Sequence, residues 1–250
     1  PLQFPDKVTD PASMLAYYRQ WQPEHIAGTQ RRYSNPSIGL LGLLTAKSMG
    51  QPFPTLMEGT LFPALGMSHS YIQVPSAQMP RYAFGYSKDN QPLRVTPGML
   101  DAEAYGVKTN AKDMLHFVQA NLSPSGLNPD LQRAIAMTHS GYYRVGEMTQ
   151  GLGWERYPYP ISLERLQAGN APAMALESQP ATRLLPPELE PGDNLFNKTG
   201  STGGFGAYAV FVPSQNLGLV LLANKNYPNA ARIKAAYAIL SALDQHSPLP

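Results

Sequence analysis

The chain contains no cysteine. That excludes thiolate catalysis, cysteine-based metal sites and disulfide bonds, and leaves the redox character of its compartment open. Its five histidines (His25, His69, His116, His139 and His246) lie far apart, with no His-x-His or His-Glu-x-x-His spacing. No metal site is therefore expected. Charge is also scarce: 14% of residues are charged and the formal net charge is +2. No Lys/Arg cluster of the kind that tracks phosphates is present, so the pI near 8.8 gives no argument for nucleic acid or a membrane surface. Nowhere does an apolar run approach the roughly 20 residues that span a bilayer. The opening Pro1-Leu2-Gln3-Phe4-Pro5 has neither an initiator Met nor the basic and apolar regions of a secretory leader. It reads as the interior of a longer polypeptide.

What is present is a globular composition. Of 250 residues, 43% are apolar, enough for one large domain or two small ones that bury roughly 70–75% of the unfolded surface. Gly and Pro are frequent, at 21 and 25 residues, yet short of the roughly 25–30% share that marks disorder. Asp10-Pro11 pairs an N-cap with proline at the first helical position, and Met14, Leu15, Tyr18 and Trp21 follow at helical spacing. Asn35-Pro36 repeats that start signal before Ile38, Leu40, Leu41, Leu43 and Leu44, a helix apolar on most sides and so expected to be buried, with Gly50 ending it. Further helices are expected over Pro54 to Phe62, Asn110 to Leu122 and Pro129 to Thr138. Tyr142 to Val145 and Met148 to Glu155 have strand composition, and a Pro-rich connection runs from Tyr157 to about Pro191. Phe205 to Val212 and Leu217 to Asn224 form a hairpin around Pro213-Ser214-Gln215-Asn216. Asn229 is expected to cap a helix reaching about Gln245. The fold class is mixed α/β: a mostly helical region, about 1–146, and antiparallel strands packed with the C-terminal helix, about 147–250. A cleft would separate Tyr33 on the helical side from Lys198 on the sheet side.

Two short motifs carry chemistry, Tyr33-Ser34-Asn35 before a helix and Lys198-Thr199-Gly200-Ser201 before a glycine-rich turn. Each alone is common; their order and placement give them weight. A tyrosine hydroxyl with a pKa near 10 is only about 0.1% ionised at pH 7, and a neighbouring ammonium favours its phenolate. Tyr33 beside Lys198 would thus be able to take and return a proton in acyl transfer. Asn35 offers a donor and an acceptor for an amide. Lys198, Thr199 and Ser201 suit a carboxylate, and the Ser201 N–H on a strand edge suits a developing oxyanion.

With these motifs the whole chain resembles a class C serine β-lactamase, of the β-lactamase and penicillin-binding-protein fold. Tyr33-Ser34-Asn35 matches the family's Tyr-x-Asn and Lys198-Thr199-Gly200 its Lys-Thr-Gly. Leu2 to Pro5 (LQFP), Tyr33 to Gly39 (YSNPSIG), Leu100 to Lys108 (LDAEAYGVK), Gln150 to Glu155 (QGLGWE), Lys198 to Tyr208 (KTGSTGGFGAY) and Leu222 to Asn229 (LANKNYPN) match as well. The resemblance implies that Tyr33 is the general base and Lys198 its ionic neighbour. It implies that Gln3 and Asn35 hold the acyl side-chain amide, and that Ser201 supplies one oxyanion N–H. Thr199, Asn226 and Asn229 would lie near the substrate carboxylate with Arg232 close behind, and Tyr105 would line the pocket. A β-lactam substrate, no metal or organic cofactor, a periplasmic location and a monomeric intact enzyme are implied in the same way.

One departure cuts across these matches. The family's Ser-x-x-Lys nucleophile motif is missing, since none of the eight lysines has a serine three residues before it. Thr109-Asn110-Ala111-Lys112 comes nearest. In the family that motif precedes the segment where this chain opens, so the N-terminal part of the same protein is the expected partner and the chain alone is expected to be inactive. Two other readings compete: a D-alanyl-D-alanine carboxypeptidase or serine esterase of the same fold, and a non-catalytic carboxylate-binding fragment. A Ser-x-x-Lys upstream of Pro1 would favour the enzymes, and nitrocefin turnover would separate lactamase from esterase.

Overall fold

The structure, a computed structural model, describes residues 1–189 and 192–244. Pro191, Gln245 and His246, at which three of the expectations end or fall, lie outside the described residues. The chain opens with α1 (Pro11–Gln20), whose cap is a reciprocal box: Asp10 accepts from Ala12 N and Ser13 N while Ser13 Oγ accepts from Asp10 N. Strand β1 (Gln30–Arg31) leads to α2 (Asn35–Ser48), capped by Ser34 rather than by Asn35. A continuous helical run follows: α3 (Phe53–Leu56), a π turn (Met57–Leu61) and α4 (Phe62–Ala64). A small ribbon of β2 (Gly85–Tyr86) and β3 (Pro92–Leu93) precedes α5 (Asp101–Tyr105), α6 (Ala111–Leu122) and α7 (Pro129–His139). No helix among the described residues is long and apolar enough to cross a membrane.

The seven-stranded antiparallel sheet begins at β4 (Gly141–Val145), ahead of the expected 146/147 boundary. It continues through β5 (Met148–Gln150) and β6 (Glu155–Pro158). The segment expected to be a bare Pro-rich connection holds instead α8 (Leu163–Gly169), α9 (Pro172–Leu176), β7 (Gln179–Pro180) and β8 (Thr182–Glu188). Its prolines sit where proline is tolerated. Pro172 opens a helix, Pro158 and Pro180 end strands, and Pro186 and Pro187 lie on β8, an edge strand with a free side. Strands β9 (Asn194–Ser201), β10 (Gly206–Val212) and β11 (Leu217–Ala223) complete the order β11-β10-β9-β6-β5-β4-β8, and α10 (Asn229–Leu243) closes the described chain. Asn229 is the first residue of α10 and makes no cap bond; its side chain serves Arg232 instead.

Strand alternation explains the core. Tyr208, Val210 and Val212 face Ile233 and Leu240 of α10, together with Tyr157 and Leu195. Phe196, Ala209 and Phe211 face the opposite way onto Val118 of α6 and Trp154. Both faces of β9 and β10 are therefore covered, and these strands read as apolar runs rather than alternating ones. The helical side has its own smaller core of Phe62, Leu65, Met67, Ala120 and Ile135.

Helix α2 departs from the expectation of burial. Its packed stripe is Pro36, Gly39 and Ala46, whereas Ile38, Leu41 and Leu44 are 44%, 61% and 54% exposed. A helix apolar all round buries only the sides that meet a neighbour, and here the neighbour is α5. Close approach needs glycine: a Cβ on Gly39 would lie 2.6 Å from Leu100 Cβ, and one on Gly42 would lie 2.7 Å from Glu103 Cβ. This packing joins the YSNPSIG and LDAEAYGVK segments. Gly39→Ala should therefore cost about 1–3 kcal/mol by overpacking, a Tm drop of about 2–4 °C per kcal/mol for a chain of this size. A Cβ on Gly59 meets nothing within 4 Å, so Gly59→Ala should stay within about 0.5 kcal/mol. Thermal unfolding of the two variants checks this, and equal Tm values would contradict the α2–α5 contact.

Candidate active site

A cleft of about 1190 Å³ separates the helical side from the end of β9. Tyr33 stands on its helical wall, between β1 and the Ser34 cap of α2. Asn35, at the first position of α2, donates its backbone N–H to Leu2 O (3.0 Å), which brings Gln3 to the same wall. Phe4 anchors that segment by edge contacts with Tyr17 and Tyr18, and the Tyr18 hydroxyl donates to Pro36 O (2.7 Å). Tyr105, at the end of α5, lines another part of the cleft. Burial, with a smaller contribution from the Asp101 charge, pushes its phenol above the ordinary range and keeps it neutral.

The sheet wall is the last half of β9. Strand β6 pairs with β9 only from Asn194 to Asn197, so among the described residues Lys198 to Ser201 run on without a strand neighbour on that edge. Antiparallel pairs alternate between bonded and non-bonded. Thr202 N donates to Phe205 O (3.0 Å), which makes the adjacent Ser201–Gly206 pair non-bonded. The N–H of Ser201 therefore points away from β10, across the open edge. Arg232 braces the strand from behind, donating to Gly200 O (2.5 Å), Ala207 O (2.6 Å), Ser201 Oγ (2.7 Å) and Asn229 Oδ1 (2.6 Å). Burial lowers its pKa from the ordinary arginine value. A Cβ on Gly206 would lie 3.1 Å from that guanidinium, so the brace needs a glycine opposite it.

Across the cleft the Lys198 ammonium lies 4.8 Å from the centroid of the Tyr33 ring. The two motifs are thus brought together. Their contact is cation–π: among the described residues the ammonium donates to Thr199 O (2.8 Å) and not to the phenol oxygen. Gln3, Asn35, Tyr105, Thr199, Ser201 and Asn229 share the cleft with them. Asn226 is exposed and stands outside the lining.

Charged residues that had been given no role also line the cleft, Arg31, Arg81, Arg94, Lys108 and Glu155, and two of them, Arg31 and Glu155, meet. They form an ion pair (2.9 Å) with side chains only 12% and 8% exposed. Arg31 precedes Tyr33 by two residues, and Glu155 is the last residue of the quoted QGLGWE stretch. Their pairing was the missing signal, since 124 residues separate them.

The β-lactamase family model matches residues 1–244. A β-lactamase of Pseudomonas fluorescens is 58% identical over 245 residues, covering 98% of this chain and 68% of its own length. One from Escherichia coli K12 is 44% identical, covering 97% of this chain and 64% of its own. Among solved structures, a β-lactamase/D-alanine carboxypeptidase from Pseudomonas syringae superposes with a TM-score of 0.93 at 50% identity, over 96% of this chain and 67% of that one. A class C β-lactamase solved in complex with cefoxitin gives 0.91 at 46% identity, over 96% and 67%. The chain spans about two-thirds of the length of these relatives. With a matching family model over nearly its whole length and class C enzymes as its structural neighbours, the chain belongs to the class C β-lactamases.

Proposed function

We propose that the protein to which this chain belongs hydrolyses β-lactams through a serine acyl-enzyme. In that scheme the chain supplies the proton carrier and most of the substrate cradle. The observation that carries the reading is the Lys198 ammonium 4.8 Å from the Tyr33 ring, beside the open edge of β9. In acylation the phenolate of Tyr33 takes the proton of an attacking serine hydroxyl as the new C–O bond forms. The lactam C–N bond then breaks, and the phenol returns the proton to the leaving nitrogen. Lys198 holds its positive charge over the Tyr33 ring, and the Ser201 N–H donates to the oxyanion. Thr199 and Asn229 serve the substrate carboxylate, with Arg232 fixing their strand and helix; Asn226, outside the cleft lining, is left out of that role. Gln3 and Asn35 hold the acyl side-chain amide, and Tyr105 closes the cleft. The scheme draws on no metal or organic cofactor, and the protein would act as a monomer in the periplasm.

In this reading the attacking serine comes from a further segment of the protein, outside residues 1–250. Such a segment has a surface to meet in the exposed Ile38, Leu41 and Leu44 of α2 and the edge strand β11. The alternative of D-alanine carboxypeptidase activity has support in the double name of the Pseudomonas syringae relative, and it uses the same acyl-enzyme.

In the full-length protein, Tyr33→Phe should lower kcat by about two to four orders of magnitude, the range for a lost general acid–base. Asn35→Ala should act more mildly and vary with the β-lactam side chain. Steady-state kinetics on several β-lactams check both, and equal losses for every substrate would remove Asn35 from side-chain recognition.

The chain by itself should lack turnover. Losing the nucleophile of a serine hydrolase costs on the order of 10⁶ in kcat. Ser34 is engaged in capping α2 and Ser201 accepts from Arg232, so neither is activated. Nitrocefin hydrolysis and mass spectrometry of penicillin-treated chain check this. Turnover, or a penicilloyl adduct on Ser34 or Ser201, would show that the nucleophile is already present.

A further inference from the structure

We infer that Arg31, through its ion pair with Glu155, is the positioning residue for Tyr33: the pair ties the tyrosine's segment to the strand of Lys198 and places a balanced charge beside the phenol. The inference rests on the reading of Tyr33 as the general base.

The guanidinium of Arg31 is held from three elements of the sheet side. Nε donates to Gln150 Oε1 of β5 (2.8 Å), Nη1 to Met174 O of α9 (2.7 Å) and Nη2 to Glu155 Oε1 of β6 (2.9 Å). Glu155 lies opposite Asn197 in the β6–β9 register, and Asn197 Nδ2 donates to Glu155 O (3.1 Å). Lys198 is the next residue. A short connected path therefore runs from Tyr33 through Arg31, Glu155 and Asn197 to Lys198. Backbone pairing alone is thin here, because β1 meets β7 through only Gln30↔Pro180 and Arg31↔Gln179. A planar fork with donors in several directions suits such a junction, whereas an ammonium on a flexible stem does not.

Charge makes the same pair matter to the phenol. Arg31 Cζ is 5.9 Å from the Tyr33 ring centroid and Lys198 Nζ is 4.8 Å from it. Arg31 from its own segment and Lys198 from β9 thus face the ring, and Glu155 of β6 is paired to Arg31. Paired, Arg31 and Glu155 carry no net charge. Separated, they act in opposite directions. Glu155 without Arg31 disfavours the phenolate, and Arg31 without Glu155 favours it.

The test is the pH dependence of kcat/KM for nitrocefin hydrolysis by the full-length protein. Its acidic limb reports protonation of the base. Arg31→Met should move that limb up by roughly one pH unit, as expected for a charge near 6 Å at partial burial, and Glu155→Gln should move it down. The double variant Arg31→Met/Glu155→Gln should return the limb close to its starting place while kcat stays at least tenfold low. Arg31→Lys should keep the limb and lose kcat, because the charge remains and the fork does not. If Arg31→Met does not fold, Glu155→Gln and Arg31→Lys decide the matter by the same criteria. Single variants that leave the limb in place, or move it the same way, would overturn the inference. Tyr33→Phe separates this from the underlying reading: a limb that persists in that variant puts the base elsewhere, whatever Arg31 does.

Discussion

Strand β9 runs on past the end of β6, and the cleft exists because of that overhang. At Phe196 and Asn197 the strand is paired on both edges, and from Asn194 to Asn197 it is buried, which fixes its direction. From Lys198 to Ser201 it keeps β10 on one edge and, among the described residues, no strand on the other, so backbone groups that a full sheet would consume stay available. Such an edge is ordinarily a liability; here it is short, flanked by Lys198, and braced by Arg232. The residue at which pairing stops, Asn197, is the one opposite Glu155, so the Arg31–Glu155 ion pair sits where the sheet hands over to the cleft. A buried pair of this kind adds little net stability against apolar replacements. Its value lies in fixing one arrangement of two segments far apart in sequence.

The helical wall depends on a second constraint of the same type. Gly39 and Gly42 let α5 approach α2 within backbone distance, and that contact determines where Tyr105 and the start of α2 stand relative to each other. Leu100 precedes α5 in a left-handed conformation (φ 55°), unusual for a non-glycine residue, and its side chain fills the space over Gly39. Tyr33 is therefore placed by a cap on one side, a glycine-lined helix contact on the other, and the ion pair beneath.

Local chemistry was legible in the sequence where it was local. The Asp10 cap, the helix start at Asn110 and the β10–β11 hairpin closed by Asn216 (φ 50°) all lie where turn and cap residues indicated. Proline misled between Tyr157 and Pro191, because its placement at helix starts, strand ends and an edge strand is compatible with order. Asn229 looked like a cap, but a long-range partner, Arg232, claims its side chain. The apolar character of α2 was legible, though its burial was not, since burial depends on neighbours. Arg31 and Glu155 illustrate the same limit: each is an ordinary charged residue until the fold brings both to 2.9 Å. The Tyr33–Lys198 proximity came from motif order and from the family resemblance together, and spacing alone would not have shown it.

The proposed scheme takes its serine from outside residues 1–250. Complementation tests it most directly: co-expression of residues 1–250 with a separate segment carrying Ser-x-x-Lys from a class C relative, followed by purification of the complex and assay with nitrocefin. The account predicts turnover from the complex, abolished when that serine is replaced by alanine. A stable, stoichiometric complex that leaves nitrocefin intact would contradict it.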